Sequence, residues 1–421
     1  MPELARRLGT ADAVVIGLGS MMGAGVFAAF GPAARAAGAG LLIGLAIAAA
    51  VAYCNATASA QLAAVYPTSG GTYIYGRELL GPWWGFAAGW GFVVGKTASC
   101  AAMALTIGTY ALPGPWWAQR LVAVAAVVGL TALNYRGVTK TAVLARILVA
   151  CTLIALAVVV IAIAVAGVQP SNLTGAGAWS SVTVYGVLQS AGLLFFAFAG
   201  YARIATMGEE VRDPARAIPR AIIVALGITV VVYLIVGVSV LLAAGPERLA
   251  RSAAPLAEAL RAAGAAPLVP VVAVGATLAS LGALLALIAG IGRTSLAMAR
   301  HRDLPGWLAA VHPSHRVPHR AEIALAVVVC ILVATVDLRG VIGFSSFGVL
   351  IYYAIANASA YTQPVAQRRW PRVLNVCGVV GCLLLVATLP WLSVVVGLGI
   401  FAIGLTGRAI AQRSFTDPRR E

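Results

Sequence analysis

Twelve apolar stretches, each near the length that crosses a bilayer, run through this chain, and the first is interrupted by Gly17-Leu18-Gly19-Ser20-Met21-Met22-Gly23-Ala24-Gly25. A helix in hydrocarbon must satisfy its own backbone hydrogen bonds, because lipid offers no partners. A glycine-rich interruption is therefore tolerated only where the freed N–H and C=O groups face protein, a cavity or a ligand. A second break-like segment, Phe195-Phe196-Ala197-Phe198-Ala199-Gly200-Tyr201-Ala202-Arg203, lies in the sixth stretch. Paired interruptions at corresponding places in two halves of a membrane chain point to a solute-binding site at the midplane.

Charged residues make up only 10% of the 421 residues. A soluble domain carries roughly 25%. The composition excludes soluble globular classes and predicts an all-α integral membrane protein. The net charge of +16 sits in loops between spans, the pattern that topology imposes, and not in a patch suited to nucleic acid. All six cysteines, Cys54, Cys100, Cys151, Cys330, Cys377 and Cys382, fall inside apolar stretches, where cysteine acts as a small hydrophobe. No metal spacing, disulfide framework or cofactor motif is legible. Arg6-Arg7 precedes an apolar stretch too long for a signal peptide, which is read as a retained first span.

The predicted spans are 11–37, 40–64, 83–112, 119–135, 142–167, 185–209, 219–244, 268–299, 321–337, 340–362, 372–389 and 391–411. Lys and Arg set their orientation. With a cytoplasmic N-terminus, 21 of the 29 basic residues lie inside, six outside, and two, Lys96 and Arg203, in mid-span. Both termini are thus expected in the cytoplasm and the chain in the plasma membrane. A short cytoplasmic helix is expected after Ser69-Gly70-Gly71, and an amphipathic extracellular helix within 246–266.

Where a broken helix restarts, its first N–H groups lack intrahelical partners and carry partial positive charge. Met22, Gly23, Ala24 and Gly25 are placed to offer such groups to an anion. Close helix packing through small residues is the competing explanation. At the second break the exposed carbonyls suit a cation. A zwitterion fits between the two, its carboxylate at the first and its amine at the second. A dinucleotide fingerprint is excluded, since no βαβ unit surrounds the glycines.

Gly19-Ser20-Met21-Met22-Gly23-Ala24-Gly25-Val26-Phe27 and Phe195-Phe196-Ala197-Phe198-Ala199-Gly200-Tyr201 resemble the broken first and sixth helices of amino acid permeases in the amino acid–polyamine–organocation superfamily. Glu209-Glu210-Val211-Arg212-Asp213-Pro214, Ala217-Ile218-Pro219, Arg293 with Ala297-Met298-Ala299-Arg300, Ser345-Ser346-Phe347-Gly348 and Tyr352-Tyr353-Ala354-Ile355-Ala356-Asn357 extend the resemblance over nearly the whole chain. It implies one transporter domain over 1–421 of the leucine-transporter type, with about 12 transmembrane helices. Repeats at 11–167 and 185–362 would form a five-plus-five inverted pair, and 372–411 would add two spans. It also implies amino acid transport by alternating access. Ala24 and Gly25 would then offer N–H groups to the carboxylate. Met21, Phe196 and Ala199 would offer carbonyls to the amine, and Phe198 and Tyr201 would be lids or pocket walls, with plain helix packing as the alternative for these aromatics.

Ionisable residues deep in a span are functional candidates. Lys96 lies about 13 residues into the third span, too deep to snorkel. The lysine that some relatives carry on the fifth span is matched here by Cys151 or Thr152, so Lys96 is the alternative source of positive charge, with proton exchange as a further role. Arg203 is expected to gate or to form a static ion pair with Glu209 or Glu210. Those glutamates read equally well as helix-end charges. His301, His312, His315 and His319 share one basic loop and read as solvated, since no further ligand completes a metal set. Hydroxyls such as Thr277 and Ser280 are the remaining route to a sodium site, but protons or exchange are favoured. No intramembrane nucleophile–base set suggests an enzyme, and paired breaks favour occlusion over an open channel. With two mid-span cations and no carboxylate, a neutral amino acid is expected over a cationic amino acid or a polyamine.

Overall fold

The computed structural model describes residues 8–67, 70–137, 142–180, 182–207 and 210–416. Its first half contains α1 (Thr10–Met21), α2 (Ala24–Ala28), α3 (Phe30–Ala37), α4 (Leu41–Val65), α5 (Thr72–Leu80), α6 (Pro82–Ala111), α7 (Trp116–Tyr135) and α8 (Ala142–Ala166). Two short helices, α9 (Ser171–Thr174) and α10 (Ala176–Trp179), follow. The rest is α11 (Val184–Phe198), α12 (Ala202–Ala205), α13 (Pro214–Arg251), α14 (Pro255–Ala262), α15 (Val269–Arg300), α16 (His319–Thr335), α17 (Leu338–Thr362), α18 (Arg372–Thr388) and α19 (Trp391–Thr416). Among the described residues nine helical stretches are long and apolar enough to cross a membrane, and α11 and α18 are shorter apolar helices. The only pairing of β type among them is a parallel bridge between Leu8 and Val211.

Local chemistry sets the helix ends. Pro82, Pro214 and Pro255 each open a helix, where a missing N–H costs nothing. Thr183 and Asp337 cap α11 and α17 by accepting from Gly186 N and Gly340 N, each at 3.0 Å. Gly81, at φ 108°, turns the chain between α5 and α6, in a region closed to most side chains. The seventh predicted span is longer than its apolar run. It starts at Pro214 and continues to Arg251 across a kink at Gly245 (φ 70°) and Pro246. The expected amphipathic segment is thereby divided between the end of α13 and α14, with Leu249, Leu256, Ala257 and Leu260 buried.

At the centre α6 packs most extensively against α17 and α15. Small residues allow this: a Cβ on Gly348 would lie 2.6 Å from Gly91 O, and one on Gly95 3.0 Å from Ser345 O. In lipid, where apolar burial between helices contributes little, such close backbone approach is a main source of helix association. Asn357 on α17 adds a buried hydrogen bond to Asn55 on α4 at 2.7 Å.

Candidate functional site

Both interruptions are present as breaks. Helix α1 ends at Met21 and α2 restarts at Ala24. Helix α11 ends at Phe198 and α12 begins at Ala202. The Gly200 N–H, which a continuing helix would give to Phe196, turns to Phe198 O at 2.8 Å. The two breaks lie directly on each other. A Cβ on Gly200 would fall 2.3 Å from Ser20 O, and one on Gly25 would fall 2.5 Å from Ala197 Cα. Only glycine permits this crossing of main chains.

A cavity opens where they cross, walled on the far side by α6 and α15. Met21, Ala24, Gly25, Phe196 and Ala199 line it, together with Lys96 and Arg203. Phe198 and Tyr201 do not. Both are fully buried, Phe198 against the Tyr233 ring at 5.1 Å and Tyr201 against Tyr353 at 4.9 Å. Side chains two residues apart on a helix project to nearly opposite sides, so Phe196 and Phe198 divide between cavity and core. Phe92 on α6 lines the cavity instead, and the sequence reading passed over it.

The freed carbonyls have donors. Lys96 Nζ donates to Ala199 O at 2.9 Å, and the Tyr353 hydroxyl donates to the same oxygen at 3.3 Å. The Tyr233 hydroxyl contacts both Met21 O, at 2.7 Å, and Ala197 O, at 3.1 Å, and so links the two breaks. Tyr110 donates to Phe27 O at 2.8 Å. Two carbonyls expected to meet a substrate amine, those of Met21 and Ala199, are thus held by side chains of the protein. Sequence reasoning missed Tyr233 and Tyr110. The available signal was the single tyrosine within each of those two apolar spans.

The remaining charges sit toward one end of the cavity. Arg203 contacts the Thr206 hydroxyl at 3.4 Å. Arg293, also a lining residue, lies 3.9 Å from Glu210. Arg203 was expected either to gate or to pair with Glu209 or Glu210; it lines the cavity, and Glu210 is paired with Arg293 from α15. Glu209 lies outside the described residues. Among the described residues that line the cavity none is Asp or Glu, whereas Lys96, Arg203 and Arg293 all line it. The Thr277 and Ser280 hydroxyls on α15 are buried without a hydrogen-bond partner among the described residues.

A second polar centre lies beyond the end of α15. Asp303 accepts from the Tyr73 hydroxyl at 2.8 Å and pairs with Arg77 at 3.3 Å and Arg408 at 2.9 Å. Arg408, counted among the cytoplasmic basic residues at the end of the last predicted span, is buried, with its guanidinium 4.6 Å from the Trp83 ring centre. Burial, then the Asp303 carboxylate, pushes the Tyr73 phenol well above its ordinary range, so it remains a donor. This cluster joins α5, α6, α19 and the segment after α15. His312, His315 and His319, expected to be solvated, gather around the Tyr135 ring with centroids 5.2, 5.9 and 6.1 Å away.

A family model described as amino acid permease matches residues 8–409. The chain belongs to the amino acid permease family. This permease is 60% identical over 408 residues to a protein of Mycobacterium tuberculosis described as an uncharacterized transporter, a match covering 97% of this chain and 92% of the relative. It is 27% identical over 432 residues to a branched-chain amino acid permease of Bacillus subtilis, covering 96% of this chain and 92% of that protein. It is 26% identical over 403 residues to cationic amino acid transporter 7, chloroplastic, of Arabidopsis thaliana, covering 89% and 69%. Family and helices together make the chain a multi-pass membrane transporter.

Proposed function

We propose that this permease moves amino acids across the plasma membrane by alternating access, binding them in the cavity between the two breaks. The observation that carries the proposal is the crossing of both interruptions over one cavity. There the restart of the first helix at Ala24 and Gly25 presents N–H groups to a carboxylate. Phe196 and Met21 contribute to the walls. Lys96 and Arg203 adjust charge and gating, with Glu210 and the neighbouring Glu209 toward the cytoplasmic end. The twelve spans are the nine long stretches with α11, α16 and α18, arranged as two inverted five-helix repeats followed by two spans. Both termini are cytoplasmic.

A neutral amino acid is preferred. A substrate ammonium that shared Ala199 O with a charged Lys96 would sit about 5 Å from it. At an effective dielectric constant of about 20 that repulsion is about 3 kcal/mol, and a cationic side chain would add to it. Names of relatives include both branched-chain and cationic transporters, but none of the described lining residues is a carboxylate that would favour the cationic reading. Coupling to protons or exchange is proposed over sodium.

The test is counterflow in proteoliposomes, with alanine, leucine, glutamate, lysine and arginine competing against one labelled substrate. Saturable exchange with lysine and arginine as the weakest competitors is expected. Conductance without saturation would overturn the transport mechanism. Best competition by lysine or arginine would overturn the charge preference, and uptake abolished by replacing sodium at fixed pH would overturn the coupling.

A further inference from the structure

Between α7 and α16 an apolar groove runs along the outside of the bundle. Val128, Ala132, Ile323, Val327 and Ile331 line it, and four of them are large apolar side chains that are about half exposed. From Val128 to Arg136 the wall on α7 is about 12 Å long, and from Ile323 to Ala334 the wall on α16 is about 16 Å, at 1.5 Å per residue. That is the scale of much of one acyl chain in a single leaflet.

One end of the groove is basic. Arg136 and Tyr135 close it, and both are among its lining residues. The Tyr135 ring carries the three imidazoles of His312, His315 and His319. Arg316 and Arg320 adjoin these histidines in the chain and are exposed. His312 Nδ1 accepts from Ser314 N at 3.3 Å and His315 N at 3.2 Å, which fixes the turn of the loop that carries the histidines. The nearest acidic residue in sequence, Glu322, is buried and faces Gly292 on α15. The groove therefore joins an apolar channel at membrane depth to a cationic mouth at a helix end.

We propose that this groove is a site for one anionic phospholipid, its acyl chain along α7 and α16 and its phosphate at Arg136, Arg320 and the histidine cluster. Basic pockets at the ends of membrane helices select acidic headgroups by charge. Neutral lipid can fill the apolar part but gains nothing at the mouth. The transport cavity lies elsewhere, between α6, α15 and the two breaks, and shares no lining residue with the groove.

The experiment is native mass spectrometry of the purified, monodisperse full chain with added phosphatidylglycerol or phosphatidylcholine. Retention of phosphatidylglycerol over phosphatidylcholine is expected. Each arginine should contribute about fivefold in affinity. Arg136→Gln and Arg320→Gln together should remove the preference for phosphatidylglycerol. Val327→Trp, at an exposed position that tolerates bulk, should weaken binding of both lipids by filling the channel. Equal retention of the two lipids, or an unchanged preference in the double arginine variant, overturns the proposal. So does a dimer that excludes lipid and dissociates in Val327→Trp, which would make a second copy the occupant.

Discussion

Gly25 and Gly290 both line the cavity at the crossing of the two breaks, yet a side chain at each would meet opposite conditions. A Cβ on Gly25 falls 2.5 Å from Ala197 Cα and 2.6 Å from Ala197 Cβ, so main chain would have to move. A Cβ on Gly290 meets nothing within 4 Å. Gly25→Ala should cost about 1–3 kcal/mol through overpacking of the helix crossing. Gly290→Ala, inside α15, should gain about 0.8–1.0 kcal/mol from lower conformational freedom in the unfolded chain. Two single-methyl variants are thus expected to differ by roughly 2–4 kcal/mol. Thermal melts of the detergent-purified proteins should place Gly290→Ala above the parent and Gly25→Ala below it. Gly290→Phe then separates folding from function. Its ring projects into the cavity, and counterflow should fall to background while yield and monodispersity stay at parent values. A folded Gly290→Phe with undiminished counterflow would mean that the solute does not use this cavity. A Gly25→Ala protein as stable as the parent would refute a rigid crossing of the two breaks.

Three further outcomes follow from the same geometry. Asp303→Asn leaves Arg77 and Arg408 facing each other without a carboxylate, and should destabilise by about 3–5 kcal/mol, read as a lowered midpoint in detergent unfolding; an unchanged midpoint would make the cluster ornamental. Tyr233→Phe removes the donor shared by Met21 O and Ala197 O, and should cost about 1–3 kcal/mol for each carbonyl left dry, with faster hydrogen exchange at both breaks as the local readout. Lys96→Met should raise lysine against leucine in competition by on the order of tenfold, because the α-ammonium repulsion is common to both and only a side-chain ammonium about 10 Å away, repelled by about 1.7 kcal/mol, tells them apart; an unchanged order would show that Lys96 plays no part in selection.

The apolar runs and the two breaks were legible because lipid imposes length and backbone satisfaction on any spanning helix. Contacts between helices were far less so. In a soluble helix the buried face is marked by hydrophobic period, but on α4 apolar Ile43 and Tyr53 are exposed while polar Asn55 and Gln61 are buried. Nothing in the local pattern therefore announced that Tyr233 reaches two distant carbonyls. Arg408 illustrates the opposite difficulty. Counting charges placed it correctly near a helix end, but its partner Asp303 is more than a hundred residues away, and only packing of α19 on the start of α6 buries it. Aromatic residues near Gly200 could be recognised as a group, whereas their division into cavity wall and core depends on helix rotation that sequence spacing leaves undetermined.

A carbonyl freed in a low-dielectric interior needs a donor, and here Met21, Ala197 and Ala199 each have one from Tyr233, Tyr353 or Lys96. The restart at Ala24 is different in kind, because the first N–H groups of a helix have no partner within it. Lys96, Arg203 and Arg293 add further donors to the lining; none of the described lining residues is a carboxylate, and Glu210 reaches Arg293 from outside the lining at 3.9 Å. The cavity is thus richer in open donors than in open acceptors, so the carboxylate should be the end of an amino acid that binds first and most strongly. An amine must displace Lys96 or Tyr353 from Ala199 O, which returns little net energy, while loss of a charge-assisted hydrogen bond to the carboxylate costs about 1.5–3 kcal/mol. For whichever amino acid competes best, its decarboxylated amine should therefore lose on the order of ten- to a hundredfold in apparent affinity, and its N-acetyl derivative, which keeps the carboxylate and lacks the ammonium, should lose less. Competition by the two analogues in the same counterflow assay decides the matter. If the amine competes better than the N-acetyl compound, the freed carbonyls govern recognition and Lys96 must leave Ala199 O before substrate arrives.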